Sequence, residues 1–168
     1  APGCGGGIYS SGANPTITHN IITDNLASDS TTDWGHGGGI CVRGSYGAPV
    51  AAVISGNVIA DNSASSASLG EGGGLEVWYG ADVLISDNTF QGNIAGAPIN
   101  GLGGGLSLQE SSAAIRGNAI RQNGATPAGG GFGGGFHSQS GDITFTENTV
   151  IDNAAQYGAV TLSLHPAV

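Results

Sequence analysis

The sequence predicts an all-β fold, a parallel β-helix of about five stacked coils with three short strands in each coil of about 30 residues. Two repeated blocks predict it. A Gly-Gly-Gly block begins at Gly5, Gly37, Gly72, Gly103 and Gly133, with spacings of 32, 35, 31 and 30 residues. A pair of asparagines recurs in register with it, as Asn20/Asn25, Asn57/Asn62, Asn88/Asn93, Asn118/Asn123 and Asn148/Asn153. Five occurrences at a nearly constant period indicate stacked structural repeats.

Each repeat contains three short segments of strand character, which in the first repeat read GIYSS, PTITH and NIITD. The two-residue period of a strand assigns one inward column to each segment. The columns are Ile8, Ile40, Leu75, Leu106 and Phe136; Ile17, Ile54, Ile85, Ile115 and Phe145; and Ile22, Ile59, Phe90, Ile120 and Val150. All are aliphatic or Phe, so we expect them to form the core between stacked coils. The repeated asparagines suit left-handed turns and can form hydrogen-bonded ladders along the stack. Asp24, Asp61 and Asp152, which precede ladder asparagines, are interpreted as turn formers.

The pattern GGGIYSSGANPTITHNIITDN resembles the right-handed parallel β-helix repeat proteins, the superfamily that includes pectate lyases and polygalacturonases. The resemblance covers residues 5–165 and implies a right-handed helix with a substrate groove walled by loops beside the first sheet. No catalytic motif of the pectate lyases or polygalacturonases matches, so no catalytic residue is carried over. We expect residues 1–168 to form a single β-helix domain, as a segment of a longer protein.

Charge and composition exclude several classes of protein. The chain has 12 acidic residues against three arginines and no lysine, a net charge of −9 that would repel nucleic acid. No apolar run is long enough to cross a bilayer, so membrane insertion is not expected. Cys4 and Cys41 are the two cysteines, and they favour a secreted or cell-surface location. They differ by five positions in register, which predicts that they are too far apart to bond unless the N-terminal segment folds back.

Binding is expected where the repeats differ, because variable loops on a rigid scaffold usually carry function. Residues 26–36, 63–71, 94–102 and 124–132 vary most and emerge beside the first sheet. The register also gives this sheet two outward columns with polar and aromatic members. We interpret the following residues as a polysaccharide-binding strip with its neighbours: Arg43, Trp78, Gln109, Gln139, Tyr9, His137 and, from the loop 26–36, Trp34. Aromatic rings can stack on sugar faces, and amide or guanidinium groups can bind hydroxyls.

A smaller set of residues has the chemistry for catalysis. His36 and Glu71 immediately precede glycine blocks on adjacent coils, and Glu76 faces outward on the first sheet. Glu71 can approach Glu76 only if the glycine run bends. If the protein is an enzyme, these three would serve a polysaccharide lyase or glycoside hydrolase. No cofactor is required, although Cys4, His36 and Glu71 share one column and could hold a metal ion.

Two functions therefore remain open. The first is an extracellular module that binds, and in one version processes, a polysaccharide. The second is a structural or adhesive solenoid segment of a surface protein without a small-molecule ligand. Uncapped end coils would expose strand edges, so we also expect end-to-end or side-by-side association.

Overall fold

The computed structural model describes residues 3–96, 100–126 and 131–163, and in these ranges the chain forms a parallel β-solenoid. Strands are numbered in chain order. The first sheet contains β2 (Ile8–Ser11), β7 (Ile40–Arg43), β12 (Leu75–Trp78), β16 (Leu106–Gln109), β19 (Phe136–Gln139) and β22 (Val160–Ser163). The second contains β3 (Thr16–Thr18), β8 (Val53–Ser55), β13 (Val83–Ser86), β17 (Ala113–Arg116) and β20 (Ile143–Thr146). The third contains β4 (Ile21–Thr23), β9 (Val58–Ala60), β14 (Thr89–Gln91), β18 (Ala119–Arg121) and β21 (Thr149–Ile151).

Two smaller sheets lie beside the first and third. One contains β1 (Gly3–Cys4), β6 (Gly35–His36), β11 (Gly70–Glu71) and β15 (Gly101–Leu102), and the other contains β5 (Leu26–Ser28) and β10 (Ser63–Ser65). The prediction of three strands in each coil omitted these short pairings. The four strands of the first of these sheets each consist of a glycine and one further residue directly before a Gly-Gly-Gly block, a pattern that recurs in the sequence but is too short to predict a strand.

The core and its register are as predicted. Each inward residue pairs with its counterpart on the next coil, for example Ile40 with Leu75 and Leu75 with Leu106. The central members of all three columns are fully buried; of the terminal members, Phe136, Ile17 and Ile22 are also buried, and Ile8, Phe145 and Val150 pack against the core as half-buried side chains. At one end, the Phe136 and Phe145 rings stack with centroids 5.5 Å apart. The aliphatic columns therefore form one continuous core along the solenoid axis.

The repeated asparagines form two ladders, as expected. In each ladder the backbone N–H and the side-chain amide of one asparagine donate to the Oδ1 of the next, at 2.9 Å and 3.0 Å for Asn57 and Asn88. The same side-chain amide also donates to the carbonyl of a core residue on the preceding coil, as Asn88 does to Ile54 at 2.8 Å. The ladders thus satisfy buried backbone groups that the strands leave unpaired.

The left-handed conformation does not fall on the asparagines themselves, and that expectation was wrong. The residue before each ladder asparagine takes it, including Asp24, Asp61 and Asp152 with φ of 59°, 54° and 55°. The asparagine then has ordinary backbone geometry, with its side chain directed into the ladder. The interpretation of these three aspartates as turn formers is confirmed.

The glycine blocks bend the chain sharply between two sheets. β6 ends at His36, Gly37 adopts a φ of 57°, and β7 begins at Ile40. A Cβ atom on Gly37 would overlap the backbone of Ile40, so only glycine fits. As a result, the residue before the glycines lies over the first sheet instead of continuing its line.

This bend overturns two predictions. Cys4 and Cys41 form a disulfide with their Cα atoms 5.8 Å apart, although counting along a straight strand had placed them out of reach. The outward column of the first sheet was expected to face solvent, yet four of its members are buried: Cys41, Glu76, Ser107 and His137. Both errors have one cause, because the register count treated the glycines as extended.

Within the residues that the structure describes, none belongs to a helix with the length and apolar character needed to cross a membrane.

Candidate functional site

A pocket of about 350 Å³ lies between the loop 26–36 and the first sheet. Its lining is Thr32, Asp33, Trp34, His36, Arg43 and Trp78. Four of these had been named from the sequence, and the structure brings them together. Thr32 and Asp33 were not named singly, although they belong to a loop that had been selected for its variability.

The aromatic rings of this pocket differ in how open they are. The guanidinium carbon of Arg43 lies 4.2 Å from the centre of the Trp78 ring, and the His36 ring is 5.9 Å away on the same indole. Tyr79 stacks on Trp78 as well, at 5.9 Å. Trp78 is therefore half-buried among its neighbours, whereas Trp34 is 47% exposed. The open ring of the pocket is Trp34.

The predicted strip is not continuous on the surface. Arg43, Trp78 and Gln139 are half-buried and Tyr9 is exposed, but Gln109 is only 6% exposed. The Gln109 amide donates to the Ser107 hydroxyl at 3.3 Å. An extended ligand on the first sheet would therefore meet an interruption at Gln109. The adjoining loops were predicted as 94–102 and 124–132, and parts of both, 97–99 and 127–130, lie outside the described residues.

Beneath the pocket lies a buried cluster of three titratable side chains, His36, Glu71 and Glu76. Nδ1 of His36 is 2.9 Å from Oε1 of Glu76 and 3.5 Å from Oε2 of Glu71. The three residues are 3%, 6% and 0% exposed. His36 and Glu71 belong to β6 and β11, and Glu76 belongs to β12, so the glycine bends create the cluster. The sequence named all three residues, but it did not place them in contact.

The cluster changes the acidity of its members. Burial alone would lower the pKa of His36, but hydrogen bonds to Glu71 and Glu76 outweigh it and raise that pKa to about 9. Burial raises the pKa of Glu76 to about 7, against the opposing effect of His36. For Glu71, burial would raise the pKa, yet the hydrogen bond from His36 and further favourable interactions lower it. At neutral pH the cluster therefore favours an imidazolium on His36 and a carboxylate on Glu71, while burial favours the protonated form of Glu76.

The other oxygen of Glu76, Oε2, lies 3.6 Å from Sγ of Cys41. Because Cys41 is bonded to Cys4, its sulfur has no proton to donate. This contact is therefore not a hydrogen bond. The disulfide instead covers one side of the cluster with apolar sulfur.

His137 is a second buried histidine on the first sheet. It is 4% exposed, and neither ring nitrogen has a hydrogen-bond partner among the described residues. Burial lowers its pKa, with the charge of Glu71 opposing that effect, and the Phe132 ring lies 6.2 Å away. His137 is therefore favoured as a neutral ring beneath the surface instead of an exposed sugar contact.

The chemistry open to the cluster is limited by access. One carboxylate oxygen of Glu71 and one of Glu76 lie no more than 4.8 Å apart, so the two carboxyl groups are adjacent. Glu76, however, has no exposed surface, and His36 is the member that reaches the pocket lining. The arrangement places a positive imidazolium at the pocket floor and holds it there with two carboxylates.

The metal-ligand column proposed from the sequence requires correction. Cys4 is bonded to Cys41, so its thiolate cannot act as a ligand in this state. Glu76 takes its place, because one ligand atom from each of His36, Glu71 and Glu76 lies within 4.8 Å of the others.

A second and larger concavity, about 590 Å³, lies on the second sheet. Its lining includes Asp82 and Asp142 but no aromatic side chain. It lacks both the buried titratable cluster and the exposed ring of the first pocket, which therefore remains the candidate site.

Comparison with known proteins identifies the class. A family model described as a right-handed beta helix region matches residues 27–165, and the chain belongs to that family. The match confirms the predicted fold and supports its right-handed sense. No curated protein and no solved structure matches the chain. Membership gives the architecture, and function has to be argued from the site.

Proposed function

We propose that this β-helix is a secreted or cell-surface module that binds a polysaccharide, with the pocket at Trp34 as one sugar subsite. The exposed Trp34 indole beside charged and hydroxyl groups is the observation that carries the proposal. An aromatic face packs against the C–H face of a pyranose, and adjacent polar groups bind its hydroxyls. The pocket volume of about 350 Å³ falls at the lower end of the range for small-molecule sites, about 300–1,000 Å³.

The remaining lining supports the same ligand class. Thr32 offers a hydroxyl, and Arg43 is held in place by its contact with Trp78, so a guanidinium donor is presented at low entropic cost. The net charge of −9 disfavours acidic polymers, which makes a neutral polysaccharide the expected partner. The disulfide between Cys4 and Cys41 supports an oxidising location.

The proposed function is binding of a polysaccharide, without its cleavage. Processing would require a catalytic group that reaches the sugar, and Glu76 is fully buried. Its position supports a role in holding His36 at the pocket floor. A structural or adhesive role without a ligand is the alternative that the experiment must separate.

The test is a binding screen against neutral and acidic polysaccharides, followed by titration calorimetry on the best ligand. Trp34→Ala should weaken binding by about tenfold or more, since loss of one aromatic contact removes on the order of 1.4 kcal/mol. Tyr46→Ala is the matched control, because Tyr46 is 92% exposed and is not part of the pocket lining. The Tyr46→Ala variant should bind the polysaccharide with the affinity of the wild type.

Two results would overturn the proposal: no polysaccharide binds, or Trp34→Ala binds as tightly as the wild type. The first would favour the structural or adhesive role. Reducing ends and unsaturated products, assayed in the same mixtures, report whether bound polymer is also cleaved.

A further inference from the structure

We propose that His36, Glu71 and Glu76 form a binding site for a divalent transition-metal ion of the Zn²⁺ class, with the Cys4–Cys41 disulfide intact. The inference is independent of sugar binding and rests on the geometry of the cluster. The three side chains come from β6, β11 and β12, and they meet beneath the pocket.

The distances suit a small ion. In a tetrahedral site with metal–ligand bonds of about 2.0–2.1 Å, two ligand atoms are separated by about 3.3–3.4 Å. Nδ1 of His36 lies 2.9 Å from Glu76 and 3.5 Å from Glu71, which brackets that separation. The carboxylate oxygens of Glu71 and Glu76 lie within 4.8 Å of each other, so metal binding would draw them together by up to about 1.4 Å.

The charge and burial of the cluster also favour binding of a divalent cation. Two carboxylates that face each other away from water require positive charge or protons between them, and in the metal-free protein the His36 imidazolium supplies one positive charge. A divalent ion would balance both carboxylates while His36 binds it as a neutral imidazole, so the buried site would carry no net charge. One imidazole and two carboxylates suit Zn²⁺ or Mn²⁺ better than Ca²⁺, which prefers six to eight oxygen ligands.

A further observation concerns Glu76. Its buried Oε2 faces the sulfur of Cys41. Because that sulfur has no proton to donate, Oε2 accepts no hydrogen bond from this side. His36 also lines the pocket, which supplies a route for the ion and for a further ligand such as water. These are features of a site with three protein ligands and one open position.

The sulfur atoms define a competing arrangement. Cys4 and Cys41 also lie within 4.8 Å of Glu76, so reduction of the disulfide would present two thiolates. The experiment must therefore keep the disulfide intact and verify it by thiol titration. A site that needs the thiolates is a different site from the one proposed.

The test uses the full chain, purified without a tag, stripped with a chelator and titrated with Zn²⁺ and separately with Mn²⁺. We expect one ion per chain. His36→Gln and, independently, Glu71→Gln should each weaken Zn²⁺ binding by at least about a hundredfold, because even changes outside the ligand shell cost about 10–100-fold. His19→Gln is the matched control, since His19 is an exposed histidine in the turn between β3 and β4, on other sheets than the cluster, and the variant should bind Zn²⁺ like the wild type.

Co²⁺ provides an optical readout, because thiolate ligands would add a sulfur-to-metal charge-transfer band that His and Glu ligands lack. Circular dichroism of each variant confirms folding, and Glu71→Gln keeps the test valid if His36→Gln does not fold. The proposal fails if the oxidised protein binds no ion, if both cluster variants bind like the wild type, or if binding appears only after reduction.

Discussion

Replacement of Asn93 by alanine tests how much the internal ladder stabilises the fold. Asn93 is fully buried in the middle of its ladder. Its side-chain amide donates to the Ile59 carbonyl at 2.8 Å and to Oδ1 of Asn123 at 2.9 Å. Its Oδ1 accepts from the backbone N–H and the side-chain amide of Asn62, at 3.1 Å and 3.0 Å. Asn93→Ala therefore removes four hydrogen bonds.

At about 1 kcal/mol for each hydrogen bond, Asn93→Ala should lower the free energy of unfolding by about 4 kcal/mol. This is a large part of the 5–15 kcal/mol by which a typical domain is stable. Asn25→Ala is the control within the same ladder. The Asn25 side-chain amide donates to Thr23 and Asn62, but its position is only half-buried, so water can replace the lost partners. We expect Asn25→Ala to cost about 1–2 kcal/mol.

Urea unfolding followed by circular dichroism measures both variants, and amide hydrogen exchange at Asn62 reports the local loss, because Asn93→Ala removes the acceptor of that N–H. Solenoids can unfold in parts, so the exchange measurement is needed beside the global one. Equal destabilisation by the two variants, or unchanged exchange at Asn62, would refute the reasoning.

Two further predictions concern the cluster and the disulfide. Removal of the Cys4–Cys41 disulfide, which joins residues 37 positions apart, should lower the free energy of unfolding by about 4 kcal/mol, because the unfolded chain gains entropy. Urea unfolding with and without a dithiol reductant measures this loss. If a Cys4→Ala/Cys41→Ala variant still responds to the reductant, the loss does not come from the disulfide and the prediction is contradicted. The pKa of His36 is about 9 in the folded protein against an ordinary 6.5, so its stabilisation is complete below about pH 6.5 and is lost as the pH rises through 9. Between pH 7 and pH 9.5 the metal-free wild type should lose about 2 kcal/mol of unfolding free energy that His36→Gln does not lose, and parallel pH profiles would disprove this origin.

Much of the candidate site could be selected from the sequence, but its arrangement could not. His36, Glu71 and Glu76 were chosen because their chemistry and their places in the repeat are unusual. Their mutual contact depends on the angle that the Gly37 and Gly72 bends impose, and a glycine run specifies flexibility without specifying its direction. The same missing angle hid the disulfide and made Glu76 appear exposed.

The pocket shows a similar division. Trp34 could be identified as an aromatic residue in a variable loop, and Arg43 and Trp78 as neighbours on adjacent strands. The structure decided that Arg43 packs on Trp78 and that Trp34 is the open ring. Side-chain packing between a loop and a sheet has no period along the chain, so no repeat pattern reports it.

The sequence by itself determined the coil period, the three inward columns and the two asparagine ladders. Each of these recurs at one position in every repeat, because stacking places the same physical demand on each coil. Only the tertiary structure decided which face of the first sheet is covered, which cysteines meet and which titratable groups share a buried space. Those relations join residues from neighbouring coils, 35 to 40 positions apart, through bends that no residue type encodes alone.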